Sequence, residues 1–228
     1  MAISAVVFDA YGTLFDVMGP ARILAEQPQF SDLKPIWPDL GQNWRVRQLE
    51  YTWLRSLMRD HADFWQVTCD ALDWALAAAG RSDPELRAAL LALYRHLPAY
   101  PEAATTLQSL RASGVKCAIL SNGTPDLLQT AVTTAGLDGL FDAVLSVESV
   151  GVYKPDPRVY ALATERFDCP ADQIVFVSSN GWDVAGAAAF GFRCLWVNRG
   201  AHPPERLPHG PEHILDDLRA VPQIVSGI

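Results

Sequence analysis

Residues 4–8, 115–120, 143–147, 174–177 and 194–197 form five short runs that are apolar almost without interruption. A strand with one wet face alternates apolar and polar side chains, whereas a strand covered on both faces has no reason to alternate. The pattern therefore predicts a parallel sheet sandwiched by helices. Helix signals fill the gaps between the last four runs. Thr124-Pro125-Asp126 opens a helix that Gly136 ends, Asp156-Pro157 offers a cap and a first-turn proline before residues 158–167, and an Ala-rich stretch over 183–190 stops at Gly191. Strand–helix–strand repeated in this way implies right-handed crossovers and an α/β, Rossmann-like doubly wound core.

The gap between the first and second runs breaks the rule, because it is far longer than one crossover needs. Trp44, Arg45, Gln48, Leu49, Trp53, Leu57 and Met58 recur at three- and four-residue steps, Phe64, Val67, Leu72 and Leu76 continue the pattern, and residues 85–96 form another amphipathic segment. The expectation is an all-helical cap over residues 17–97, inserted after strand one, with residues 1–16 and 98–228 making the catalytic core. The proline-rich run 201–211 reads as a surface loop.

Composition narrows the partners. The 228 residues, half of them apolar, suit one substantial core with a smaller attached unit. A net charge of -8 opposes a nucleic-acid or anionic-membrane surface, which needs clustered Lys and Arg. Cys69, Cys117, Cys169 and Cys194 are widely spaced, with no Cys-x-x-Cys pair, and read as reduced structural thiols. The N-terminal apolar run lacks a basic lead and is cut short by Asp9, so it is not read as a signal peptide, and no apolar segment approaches the roughly 20 residues that span a bilayer. A cytoplasmic location is expected.

In an open parallel sheet, ligands bind beyond the carboxyl ends of the strands, near the point where strand order reverses. Run one ends at Asp9, run two at Ser121-Asn122-Gly123, run three leads to Tyr153-Lys154-Pro155-Asp156, and run four ends at Ser178-Ser179-Asn180-Gly181-Trp182-Asp183. Each has an ordinary reading. Asp9 suits a turn, Ser121-Asn122-Gly123 is turn chemistry, Lys154 before a proline suits a solvated loop, and Asp183 favours the first turn of a helix through its dipole. Their joint delivery of two carboxylates, an ammonium and a hydroxyl–amide pair to one rim points to a catalytic site.

Those four segments, beginning Asp9-Ala10-Tyr11-Gly12-Thr13-Leu14-Phe15-Asp16, resemble the signature segments of the haloacid dehalogenase superfamily. The cap sequence Trp44-Arg45-Val46-Arg47-Gln48-Leu49-Glu50-Tyr51-Thr52-Trp53-Leu54-Arg55 further resembles the L-2-haloacid dehalogenase branch. Most superfamily members are Mg²⁺-dependent phosphatases with a second Asp two residues after the nucleophile and a Gly-Asp pair after strand four. Here those places hold Tyr11 and Ser178-Ser179. Mg²⁺ prefers hard oxygen ligands, and a halide leaving group needs no proton, so both departures favour dehalogenation without metal or other cofactor.

The resemblance implies covalent catalysis in which Asp9 attacks an (S)-2-haloacid and water then frees an (R)-2-hydroxyacid from the Asp9 ester. It assigns Ser121, with backbone N–H groups near Tyr11 and Asn122, to the substrate carboxylate, and Arg45 with Asn122 to the halide. Lys154 would hold Asp9 ionised, and Asp183, with Ser178 and Asn180, would handle the hydrolytic water. Thr13 and Tyr160 are expected as supporting hydrogen-bonders, and Tyr11, Leu49, Phe64 and Trp182 as an apolar wall. Arg45 also suits a cap surface charge, and Phe64 and Trp182 suit core packing. Trp44 and Trp53 are assigned to cap packing or a subunit contact, and a homodimer is implied. Two rivals remain: a Mg²⁺-dependent phosphatase on the same fold, and a non-enzymatic binding scaffold. His61, His96, His202, His209 and His213 match no motif, and Ser121 lacks the Gly-x-Ser-x-Gly elbow of a serine hydrolase.

Overall fold

The structure is a computed structural model that describes residues 3–228. Six parallel strands form one sheet: β1 (Ala5–Phe8), β2 (Lys116–Ser121), β3 (Ala143–Ser146), β4 (Ile174–Ser178), β5 (Arg193–Val197) and β6 (His213–Leu215), in the order β3-β2-β1-β4-β5-β6. The order reverses between β1 and β4, which places the ligand crevice beyond the ends of those two strands. Every residue of β1 and β4 is buried, as a continuous apolar run requires.

Five of these strands match the predicted runs to within a residue or so. β6 was not predicted, and it has a different character: it is three residues long, largely exposed, and pairs only along the edge of β5. So short and wet a strand carries neither an apolar run nor a full alternation. The loop before it occupies the proline-rich segment as expected.

The helices α1 (Gly19–Ala25), α2 (Trp37–Met58), α3 (Phe64–Ala78) and α4 (Pro84–Arg95) form the cap. The core helices are α5 (Ala103–Ala112), α6 (Pro125–Thr134), α7 (Pro157–Phe167), α8 (Gly181–Phe190) and α9 (Val221–Ser226). Local chemistry sets several starts. Asp63 accepts from the Gln66 N–H ahead of α3, Thr124 caps α6, and Asp156 caps α7 with Pro157 in its first turn. In the cap, α2 packs along α3, and α1 lies against α2 and α4.

The chain's exit to the cap and its return run side by side. Phe15 and Ala99 form an antiparallel bridge, the Asp16 N–H donates to Pro98 O at 2.9 Å, and the Tyr100 N–H donates to Leu14 O at 2.9 Å. This two-stranded neck ties the cap to the turn that follows β1. The cap's attachment and the turn carrying Asp9 and Thr13 are therefore one local structure.

Candidate active site

Asp9 is the first residue after β1, and its N–H donates to Val177 O on β4 at 2.9 Å. Its carboxylate lies at the switch point, with 5% of the residue exposed. The Lys154 Nζ donates to Asp9 Oδ1 at 3.1 Å and to Asp183 Oδ2 at 2.8 Å. Lys154 and Asp183 are both buried, so their charges are stable only through this mutual compensation. Burial pulls the Lys154 pKa down, but Asp183 and Asp9 outweigh it and raise it overall, so the amine remains an ammonium. Burial pushes Asp183 up to about 6; the Asp9 charge adds to that rise, and Lys154 opposes it.

The two oxygens of Asp9 differ. Oδ2 faces the Thr13 hydroxyl at 3.0 Å, the Asn180 Nδ2 at 2.8 Å and the Ser178 hydroxyl at 3.5 Å, while Oδ1 has Lys154. Oδ2 is the more firmly anchored oxygen, and Oδ1 is the freer one. Thr13 is itself fixed, since its hydroxyl accepts the Ser179 N–H at 2.7 Å. That stitch brings the β1 turn against the β4 turn so closely that a Cβ on Gly12, at φ +88°, would sit 2.9 Å from Ser179 Oγ.

Asp183 is the third residue of α8, which begins two residues earlier than predicted because Asn180 caps it. The Asn180 carbonyl accepts from the Asp183 and Val184 N–H groups, each at 3.0 Å. The Asp183 carboxylate then accepts from the Tyr160 hydroxyl at 2.8 Å on Oδ1 and from Ser178 at 3.2 Å on Oδ2. Burial, followed by the Asp183 charge, raises the Tyr160 phenol well above its ordinary range, so it stays a donor.

The cap supplies Arg45. Its Nη2 donates to the Tyr11 carbonyl at 3.4 Å and the Asn180 side-chain oxygen at 3.3 Å, and its Nη1 to Gln48 Oε1 at 2.9 Å. All three partners are neutral, and Arg45 has no ion pair among the described residues. The Tyr11 ring sits between Phe64 at 5.1 Å and Tyr94 at 5.8 Å, both from the cap. The Phe64 ring also faces Tyr153 at 6.3 Å.

Asp9, Thr13, Lys154, Tyr160, Ser178, Asn180 and Asp183 thus share one hydrogen-bonded cluster. Tyr11 and Arg45 join it through Asn180, and Phe64 through the Tyr11 ring. Asn122 accepts the Lys154 N–H at 3.1 Å, which positions that loop. Ser121 is buried and accepts the Gly123 N–H at 3.1 Å, in its own turn rather than in the cluster. Leu49 is half-buried on α2 with its carbonyl taken by Thr52.

Trp182 is half-buried against Trp53, edge to face at 5.3 Å, so Trp53 packs across the cap–core seam rather than at a free subunit surface. Trp44 is 3% exposed and its indole N–H donates to Thr68 O, which makes it cap packing. Gln48, Thr68 and Tyr94 hold Arg45 from behind. The sequence places Gln48 on the apolar stripe of α2 without a role and does not mark Thr68 of α3 or Tyr94 of α4; the available signal is a polar residue on that buried stripe.

A cavity of about 330 Å³, lined by Trp53, Ser56, Leu57, Tyr153, Lys154, Pro155 and Asp156, opens along the seam beside this cluster. Larger hollows of about 470 and 610 Å³ lie beside Arg55 and include no member of the cluster.

Mg²⁺, the ion of the phosphatase members, does not fit this donor set. The two carboxylates that would hold it are bridged by the Lys154 ammonium, and Tyr11 supplies no third carboxylate.

An α/β core with a helical cap, and a buried aspartate at its switch point, define a hydrolase of the haloacid dehalogenase type. The chain belongs to that family: residues 3–191 match the family described as haloacid dehalogenase-like hydrolase. The chain is 43% identical over 224 residues to (S)-2-haloacid dehalogenase 1 of Pseudomonas sp. (strain CBS-3), covering 98% of this chain and 96% of that protein. A solved L-2-haloacid dehalogenase superposes with a TM-score of 0.93 at 45% identity, covering 99% of this chain and 100% of the other. The L-2-haloacid dehalogenase of Xanthobacter autotrophicus, solved with chloropropionic acid covalently bound, superposes with a TM-score of 0.88 at 39% identity over 99% of each chain.

Proposed function

We propose that this protein hydrolyses small (S)-2-haloalkanoic acids to (R)-2-hydroxyalkanoic acids and halide, without metal, through an ester on Asp9. The observation that carries this reading is the state of Asp9: one oxygen anchored by the neutral donors Thr13 and Asn180, the other facing an ammonium, and Tyr11 where a phosphatase needs an acid. The covalent chloropropionic acid in the Xanthobacter protein supports it.

In the first step Asp9 Oδ1 attacks C2 from the side opposite the halogen. The C–O bond forms as the carbon–halogen bond breaks, inverting the centre and releasing halide. Arg45, with charge unspent on any carboxylate, and the free Nδ2 of Asn122 stabilise the departing anion. The Ser121 hydroxyl and the Tyr11 N–H receive the substrate carboxylate. Tyr11, Leu49, Phe64 and Trp182 wall its alkyl group.

In the second step water attacks Cγ of Asp9 while Asp183 takes its proton. The intermediate collapses, the alkoxide leaves with that proton as hydroxyacid, and Asp9 returns to carboxylate with release of a second proton. Ser178 and Asn180 hold the Asp9–Asp183 geometry, and Thr13 and Tyr160 support it.

Residues 17–97 act as the cap and 1–16 with 98–228 as the catalytic core, a division the paired neck supports. A homodimer is part of the proposal, with the exposed Leu54, Leu57 and Met58 of α2 as its apolar contact. So is a cytoplasmic location, supported by four free cysteines; no described helix is long and apolar enough to cross a membrane.

The test is halide release from racemic 2-chloropropionate in EDTA, with chiral analysis of remaining acid and product. Consumption of the (S)-acid alone, formation of (R)-lactate and a loss of about 10⁴-fold or more in Asp9→Asn are expected. Phosphate-ester hydrolysis that appears only with Mg²⁺, and no halide, would establish the phosphatase. Halide release that survives Asp9→Asn would remove the ester mechanism.

A further inference from the structure

Arg45 is the one charged group of the site that no opposite charge holds in place, so its aim depends on neutral bonds. Those bonds form a directed chain. Gln48, three residues on along α2, is 1% exposed, and a side-chain amide so deeply buried is stable only if its donors and acceptor are met. Its Nε2 donates to Thr68 Oγ1 at 2.7 Å and to Tyr94 OH at 3.0 Å, and its Oε1 accepts from Arg45 Nη1 at 2.9 Å.

The direction of the amide follows from Thr68. That hydroxyl has one proton, and it goes to the Phe64 carbonyl in the first turn of α3 at 2.6 Å. Toward Gln48 it must therefore accept, which turns the NH₂ toward Thr68 and the oxygen toward Arg45. The flipped amide would set donor against donor at Arg45 and acceptor against acceptor at Thr68. Beside this chain the Trp44 indole N–H donates to the Thr68 carbonyl at 2.9 Å and fixes α2 on α3 at the same level. Tyr94 brings in α4, stacks on Tyr11 and remains protonated because burial raises its phenol.

A carboxylate at this place would grip Arg45 more tightly but would cancel the charge the leaving halide needs. A neutral acceptor grips and leaves the charge available. We propose that Gln48, with its amide direction locked by Thr68 and Tyr94, is a positioning residue that aims Arg45 at the departing halide while leaving its charge unspent. This rests on the dehalogenase reading and on the role given there to Arg45.

The experiment compares Gln48→Glu, Thr68→Val and Thr68→Ser, alone and in an Arg45→Met background. Each is measured for kcat/KM on 2-chloro- and 2-bromopropionate, for inhibition by bromide ion, and for thermal stability. Gln48→Glu should lower kcat/KM about 10²-fold, more for the chloro than the bromo acid, and weaken bromide inhibition. Thr68→Val keeps the side-chain shape but frees the amide to turn, and should cost about tenfold with the same leaving-group bias. Thr68→Ser restores the hydroxyl and should restore the rate. Once Arg45 is gone these changes should add little, because they act through it.

Losses that add in full to Arg45→Met, or that ignore the leaving group and follow the melting temperature alone, overturn the proposal and make the chain mere packing. A fully active Arg45→Met variant overturns it too, by removing Arg45 from the reaction. A wild-type protein that releases no halide refutes the dehalogenase reading itself, which is a separate outcome.

Discussion

The strand-end rim of the core and the cap wall opposite it hold their functional groups by opposite means. On the rim, Asp9, Lys154 and Asp183 are buried charges that touch one another, two negative and one positive. On the cap, Arg45 leans on an amide, a carbonyl and another amide, and the first of these amides is held in turn by Thr68 and Tyr94. In the proposed reaction, the groups that act on the ester are thus fixed by charge, and the group assigned to the halide is fixed by neutral contacts, which leave its charge free for the ligand.

Lys154→Met tests the rim most severely. It leaves two buried carboxylates facing each other, and breaking a buried pair of this kind costs about 3–5 kcal/mol. Urea unfolding should show that loss together with loss of halide release, whereas Arg45→Met should cost less, about 1–3 kcal/mol, since it leaves the neutral Gln48 oxygen without its donor but orphans no charge. Equal losses for the two variants would erase the contrast between the regions.

The second prediction separates the two carboxylates of the rim. Asp183→Asn leaves Asp9 Oδ1 and its lysine in place, so alkylation proceeds and ester hydrolysis fails. Rapid mixing should show about one halide per site followed by turnover slowed about 10²–10⁴-fold. The pH dependence follows from the same pair. As the proposed base, Asp183 would work ionised, and burial pushes its pKa up to about 6, so ester hydrolysis in the wild type should fall as pH drops through that region and hold above it. Esterification removes the Asp9 charge that helped raise Asp183, so the limb measured on the intermediate should lie on the acid side of the free protein's. A limb that moves to higher pH would show that Lys154 no longer pairs with Asp183 once the ester forms.

The two regions were also unequally legible. The rim could be read from the chain alone, because parallel strands announce themselves as apolar runs and a carboxylate or lysine at the end of one is conspicuous. Arg45 could not, since α2 carries several charges and only resemblance to a family distinguished it. Gln48, Thr68 and Tyr94 were harder still: their contacts join three helices across 20 and 46 residues of sequence, and nothing local in a Gln or a Thr records the carbonyl it will meet. β6 stayed hidden for a different reason, because an exposed three-residue edge carries no periodic signal. Trp53 was misplaced because periodicity says which face of α2 is apolar and not what covers it; Trp182 of the core does.

The smallest expected effect lies on the seam where the regions meet. The Tyr153 hydroxyl donates to the Ala62 carbonyl at 2.6 Å, and its N–H donates to Ser56 Oγ at 3.2 Å, while Glu148 accepts from the Phe64 N–H at 3.1 Å and pairs with His61 at 2.9 Å. These bonds bind the α2–α3 connection to the core beside Phe64, and they touch neither Asp9 nor Arg45. Tyr153→Phe removes one of them and keeps the ring against Phe64, so it should cost about 1 kcal/mol in stability. Hydrogen exchange of amides 59–64 should quicken while more distant cap amides are unchanged. The halide burst should keep its wild-type rate, because the seam positions neither the nucleophile nor the cation. A slowed burst would mean that closing the cap at this connection also sets Arg45, and that the cap acts on the halide through the seam as well as through Gln48.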